Sequence, residues 1–189
     1  MNPEFCVCVF CGARPGADDA WMPLAFKVGA SLARRGLGVV YGGGGVGLMG
    51  AVARGALSEQ GQVVGVIPHL LMAQEQGNLA VTRLERVDSM AERKTRMIDL
   101  ADAFLTLPGG LGTLDELFEV MTLRQIGFHQ KPNSILNASG YFDGLVSTLN
   151  GFAGHGFVGQ ADVDHLIVET TIEPLLDRLV AALPATAER

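Results

Sequence analysis

The sequence predicts an α/β protein, a single domain built on a doubly wound, mostly parallel sheet with helices on both faces. Three observations carry this. Short runs such as Phe5-Cys-Val-Cys-Val-Phe10, Val63-Val-Gly-Val-Ile67 and Asp102-Ala-Phe-Leu-Thr-Leu107 have strand length and little polarity on either face, as in a parallel sheet covered on both sides. Stretches of helical periodicity alternate with them. Glycine-rich turns follow two of the strands, at 42–50 and 109–112. Strand, glycine turn, helix, strand is the repeating unit of a Rossmann-like fold, and right-handed crossovers gather such turns at the carboxyl edge of the sheet.

At 189 residues the chain has the length of one domain with a full core. That domain is expected over 1–184, with 185–189 as a frayed tail. In the first strand, alternation sends Cys6, Cys8 and Phe10 to one side and Val7, Val9 and Cys11 to the other. A turn at 11–16 leads to a helix over 19–35, stopped by Gly36, and a second strand follows over 37–41. The glycine loop 42–47 runs into a helix ending near Gly61, and the third strand covers 63–67. Segment 68–80 is polar, irregular and long for a connection, which favours a lid or pocket wall over a spacer. A strand over 81–87 precedes Ser89, the expected cap of a helix that sets Met90, Arg93, Lys94 and Met97 on one side. Beyond the second glycine turn come a helix carrying Leu114, Leu117, Phe118 and Met121, a strand over 132–136, a helix over 140–150, a strand over 166–168 and a closing helix over 172–183. The loops 11–16, 42–47 and 108–113 are expected to share one crevice.

A formal charge of −6 leaves no electrostatic footprint for nucleic acid or an anionic membrane. No apolar stretch reaches transmembrane length, and Met1-Asn-Pro-Glu-Phe-Cys lacks the basic start of a signal peptide, so a cytoplasmic location is expected. The C-x-C-x-x-C spacing of Cys6, Cys8 and Cys11 invites a metal. In an apolar strand with no histidine nearby, these thiols read instead as small hydrophobes, and no metal is expected. His69, His129, His155 and His165 are scattered without ligand spacing.

The stretch Leu107-Pro-Gly-Gly-Leu-Gly-Thr-Leu-Asp-Glu116 carries the chemistry. Gly109, Gly110 and Gly112 allow a ligand close to the backbone, and the unpaired N–H groups of the following helix present partial positive charge: a seat for a phosphate. A plainer reading makes Thr113-x-x-Glu116 a capping box, with Asp115 favouring the positive helix end. Capping accounts for Thr, Asp and Glu. It does not account for three glycines behind a proline.

Together, Val9-Phe-Cys-Gly12, Gly42-Gly-Gly-x-x-Gly-Leu-Met-Gly50, Met90-x-x-Arg-Lys94 and Pro108-Gly-Gly-x-Gly-Thr-x-x-Glu116 resemble the LONELY GUY (LOG) family of cytokinin-activating phosphoribohydrolases, often labelled lysine decarboxylases. The likeness covers nearly the whole chain. It implies hydrolysis of the N-glycosidic bond of N6-modified adenosine 5′-monophosphates to free base and ribose 5-phosphate, no cofactor, and a homodimer or higher homo-oligomer. It also implies Arg93 and Glu116 as catalytic residues, with Glu75, Lys94, Gly109, Gly110, Leu111, Gly112, Thr113, Leu114, Asp115 and Thr122 in substrate binding. One departure stands out: the family commonly has serines where this chain has Ala13-Arg14.

Breaking the bond between C1′ and N9 builds positive charge on the ribose, which a carboxylate beside it stabilises. Glu116 is the candidate, binding ribose hydroxyls and orienting or deprotonating water. Arg93, always charged, is a clamp rather than a proton donor. Three rival readings remain at this level. A pyridoxal-dependent decarboxylase needs a Schiff-base lysine, and of Lys27, Lys94 and Lys131 only Lys94 lies by the phosphate loop. A carrier or sensor would bind the nucleotide without cutting it. An AMP nucleosidase would show little preference for modified bases.

Overall fold

The computed structural model describes residues 3–184; the expected tail at 185–189 lies outside them. Seven parallel strands form one sheet: β1 (Cys6–Phe10), β2 (Gly38–Tyr41), β3 (Val63–Pro68), β4 (Arg83–Val87), β5 (Ala103–Thr106), β6 (Asn133–Leu136) and β7 (Leu166–Glu169). Their order is β4-β3-β2-β1-β5-β6-β7. The winding therefore reverses between β1 and β5, in register from Val7 opposite Ala103 to Phe10 opposite Thr106. That reversal is where a doubly wound sheet opens a crevice.

The helices divide between the faces as right-handed crossovers require. On one face lie α1 (Trp21–Arg34), α2 (Gly47–Ser58) and α7 (Ile172–Ala181), packed with Val7, Val9 and Cys11. On the other, α3 (Met90–Leu100) covers Cys8 and Phe10, while α4 (Leu111–Gln125), α5 (Asp143–Gly154) and the short α6 (Gln160–Asp164) enclose a separate cluster around Leu117, Ile135 and Phe142. The strand alternation read from the sequence holds, and it sends Cys8 and Cys11 into different clusters.

Several boundaries move. The strand expected over 81–87 begins at Arg83, because residues 79–82 still turn onto the sheet, with the Val63 N–H donating to Thr82 Oγ1. The helix expected over 140–150 begins at Asp143 and runs to Gly154. The chain first makes a 3-10 turn at Ala138–Gly140, in which the Asn137 side-chain oxygen accepts from the Phe142 N–H. Segment 68–80 contains a 3-10 turn, His69–Leu71, and is stitched to the first glycine loop: the Gly45 N–H donates to the Glu75 and Gln76 carbonyls at 2.9 Å and the Asn78 N–H to Gly43 at 2.9 Å. It is a wall. Among the described residues, no helix is long and apolar enough to cross a membrane.

Candidate active site

Three loops meet at the switch point, as the crossover geometry requires. The Gly12 N–H donates to the Pro108 carbonyl at 3.1 Å, and the Leu48 and Met49 N–H groups converge on the Gly12 carbonyl at 3.1 and 3.4 Å. These bonds tie the ends of β1 and β5 and the start of α2 around a cavity of about 700 Å³. Its wall carries Cys11 to Gly16, Gly42, Pro108 to Thr113, and the side chains of Leu48, Met49, Leu71, Glu75, Met90, Arg93, Glu116, Trp21 and Tyr141.

The start of α4 differs from a capping box. Gly110, extended at φ −98° and ψ −150°, is the N-cap of α4, so the helix starts at Leu111 and no side chain caps it. Thr113 is already inside the first turn and buried, and Glu116 lies in the second turn, facing the cavity. The capping box is therefore not formed, and the first N–H groups of a fifteen-residue helix open toward the cavity. A Cβ on Gly110 or on Gly112 would meet nothing within 4 Å, whereas one on Gly109 would strike Thr113 and Gly12. The Tyr141 hydroxyl donates to the Gly109 carbonyl at 2.7 Å, and its ring stands edge-on to Trp21 at 5.6 Å.

Arg93 and Lys94 part company. Ser89 caps α3 by accepting from the Glu92 N–H at 3.1 Å, and this fixes the helix phase so that Arg93 turns inward and is 4% exposed. Its guanidinium donates to Val66 O at 3.2 Å, Gly42 O at 2.6 Å and Glu75 Oε2 at 3.1 Å. Lys94, one residue on, leaves the cavity and pairs with Asp115 at 3.0 Å and Glu119 at 2.6 Å. Lys94 is thus held between two carboxylates and does not line the cavity.

Burial pushes the Glu116 carboxyl up to about 7; the Arg93 charge opposes this and the Glu75 charge adds to it. Burial likewise pushes the Cys11 thiol up, with Glu116 contributing, so this cavity cysteine stays a neutral thiol.

Of the residues expected in the site, Glu75, Arg93, Gly109, Gly110, Leu111, Gly112, Thr113 and Glu116 line the cavity. Lys94 and Asp115 pair beside it, Leu114 packs into the cluster under α4, and Thr122 is exposed two turns further along that helix. Sequence reasoning placed segment 68–80, and with it Leu71, in the pocket wall, and passed over Trp21 and Tyr141. The lone tryptophan at the start of α1, just past a Pro-Gly turn, was the available signal.

Sheet order, crevice and open helix terminus define a Rossmann-like α/β protein with a cavity at its switch point. The family model described as "Possible lysine decarboxylase" matches residues 49–179. A probable cytokinin riboside 5′-monophosphate phosphoribohydrolase of Oryza sativa subsp. japonica is 40% identical over 178 residues, covering 94% of this chain and 72% of that protein. A cytokinin riboside 5′-monophosphate phosphoribohydrolase of Arabidopsis thaliana is 36% identical, covering 94% and 83%. The chain belongs to this LOG-type family. Among solved structures, a molybdenum cofactor binding protein of Rippkaea orientalis aligns with a TM-score of 0.70 at 18% identity, covering 93% and 95% of the two chains. The molybdenum cofactor carrier protein of Chlamydomonas reinhardtii aligns at 0.68 and 16%, covering 93% and 98%. At such identities these two share the fold.

Proposed function

We propose that this protein hydrolyses the N-glycosidic bond of N6-modified adenosine 5′-monophosphates, releasing the free base and ribose 5-phosphate. The observation that carries the reading is the spacing within α4. Its open N-terminus and the Glu116 carboxyl face the same cavity five residues apart. At 1.5 Å per residue this is about 7.5 Å along the axis, roughly the length of a ribose 5-phosphate. With phosphate on the helix terminus, Glu116 stands at the sugar. The names of the relatives, cytokinin riboside 5′-monophosphate phosphoribohydrolases, supply the same chemistry.

In this mechanism water adds to C1′, the electron pair of the C1′–N9 bond leaves with the base, and the proton released from water ends on the base. Ionised Glu116 stabilises the oxocarbenium-like ribose and takes the water proton; a pKa near 7 suits a group that both accepts and returns one. Arg93 is spent on two carbonyls and Glu75, so its role is to hold Glu75 and the Gly42 turn in place and to keep a positive charge near Glu116. Trp21, Leu71 and Met90 offer apolar wall for the base. The acting unit is a homodimer or larger, supported by apolar side chains left in solvent at both ends of α4: Leu111, 88% exposed, and Ile126 and Phe128.

The test is chromatographic release of base from AMP and from isopentenyladenosine monophosphate, with wild type and Glu116→Ala compared. Release by wild type and not by a folded variant is expected. Equal rates on both nucleotides would make the enzyme an AMP nucleosidase, and binding without release would make it a carrier or sensor.

A further inference from the structure

The cavity's positive charge is nearly all committed. Arg93 is buried against Glu75 and two carbonyls, and Lys94 lies outside between Asp115 and Glu119. The cavity's carboxylates are Glu75 and Glu116. A helix terminus contributes about half a positive charge, too little to balance a phosphate dianion entering beside two acids on a chain of net charge −6. One cation on the wall is left. Arg14 is exposed and lines the same cavity as Gly110 and Gly112, and among the described residues its guanidinium makes no hydrogen bond or ion pair.

The backbone beneath it is fixed. Gly12 is tied to Pro108 on one side and to Leu48 and Met49 on the other. Gly47 lies so close that a Cβ there would sit 2.6 Å from the Arg14 nitrogen and strike Ala13. The loop carrying Arg14 is thus clamped between both glycine loops, and only the side chain must order when a ligand arrives. An exposed guanidinium with no partner gives up nothing within the protein to bind a phosphate, and its planar fork matches two phosphate oxygens.

We propose that Arg14 is a specificity-determining residue that grips the 5′-phosphate opposite the α4 terminus and so sets nucleotides apart from nucleosides. This rests on the hydrolase reading above and deepens it, since the serines common in the family at this place would offer neutral hydroxyls instead.

The experiment compares wild type, Arg14→Ser and Arg14→Lys on AMP, isopentenyladenosine monophosphate and adenosine, across a salt series. Arg14→Ser is expected to raise KM for both nucleotides tenfold or more with kcat within twofold, to flatten the salt dependence of kcat/KM, and to leave adenosine turnover unchanged. Arg14→Lys recovers part of the loss. An unchanged KM, or an equal loss on adenosine, overturns the proposal. If wild type releases no base at all, the hydrolase reading fails and Arg14 is decided by the melting-temperature rise that AMP gives: shrunk in Arg14→Ser the proposal stands, unchanged it falls.

Discussion

The two glycine loops look alike in sequence and do opposite things. In the first, after β2, the glycines are filled in by neighbours. A side chain on Gly42 would strike the Arg93 guanidinium, one on Gly45 would sit 2.5 Å from the Gln76 carbonyl, and Gly47, at φ +58°, lies against the 13–14 backbone. In the second, after β5, Gly110 and Gly112 face open space at a helix terminus. The first loop uses glycine so that other parts of the chain can come close, and holds Arg93 and segment 68–80 in place. The second leaves the space beside its glycines open. A glycine inside the first turn of a helix weakens it by about 1 kcal/mol relative to alanine; at Gly112 no contact within the chain offsets that, which is what a ligand seat predicts.

The largest expected effect breaks the first loop. Gly47→Ala combines a positive φ with a backbone clash, so stability should fall by about 3 kcal/mol or more, read by urea titration and accompanied by loss of all activity. Soluble, fully stable Gly47→Ala protein would show that the packing assigned to this loop is wrong.

Next comes Glu116, where the cavity meets the second loop. Its folded pKa of about 7 lies above the ordinary glutamate value of 4.5, so the folded state holds the proton more tightly. Stability contributed by that proton is complete below about 4.5 and is lost as pH rises through about 7. Glu116→Gln should therefore melt higher than wild type at pH 8, by about 2 kcal/mol with allowance for its opening to the cavity, and by little at pH 4.5, while releasing no base. In wild type, kcat/KM should fall as pH drops below about 7. A limb near 4.5 would place Glu116 in a far more watery setting.

Gly112→Ala separates the loops most directly. Unlike Gly47→Ala it should stabilise the protein, by about 1 kcal/mol, and still raise KM for the nucleotide at least tenfold by intruding on the phosphate. Unchanged KM would mean the seat is empty in turnover. The smallest effect is that of Tyr141→Phe, which frees the Gly109 carbonyl from its 2.7 Å hydrogen bond. A loss of about 1 kcal/mol is expected, seen as a few-fold rise in KM with kcat steady.

Much of this was legible beforehand. Alternation in β1 assigned Cys8 and Phe10 to one face and Val9 and Cys11 to the other, since a strand has a period of two and the sheet is covered on both sides. The alternation of strands and helices gave the parallel winding, and the Ser89 cap was placed correctly. At the start of α4 it is the plainer of the two readings, the capping box, that fails. Thr113 and Glu116 have capping-box spacing, yet Gly110 takes the cap position and puts both residues inside the helix.

Local rules, then, were enough for strands, helices and the gathering of three loops at one edge, because each depends on periodicity and handedness that neighbouring residues impose; the family came from the likeness of four motifs. What tertiary structure alone decided is which of two similar glycine runs is occupied by protein and which is open, and which of two adjacent cations enters the cavity. Arg93 and Lys94 differ by a single step of about 100° around α3. Only the sheet beneath that helix, with Val66 and Gly42 presenting carbonyls on one side and Asp115 and Glu119 lying on the other, turns that step into a buried guanidinium and an outlying ammonium.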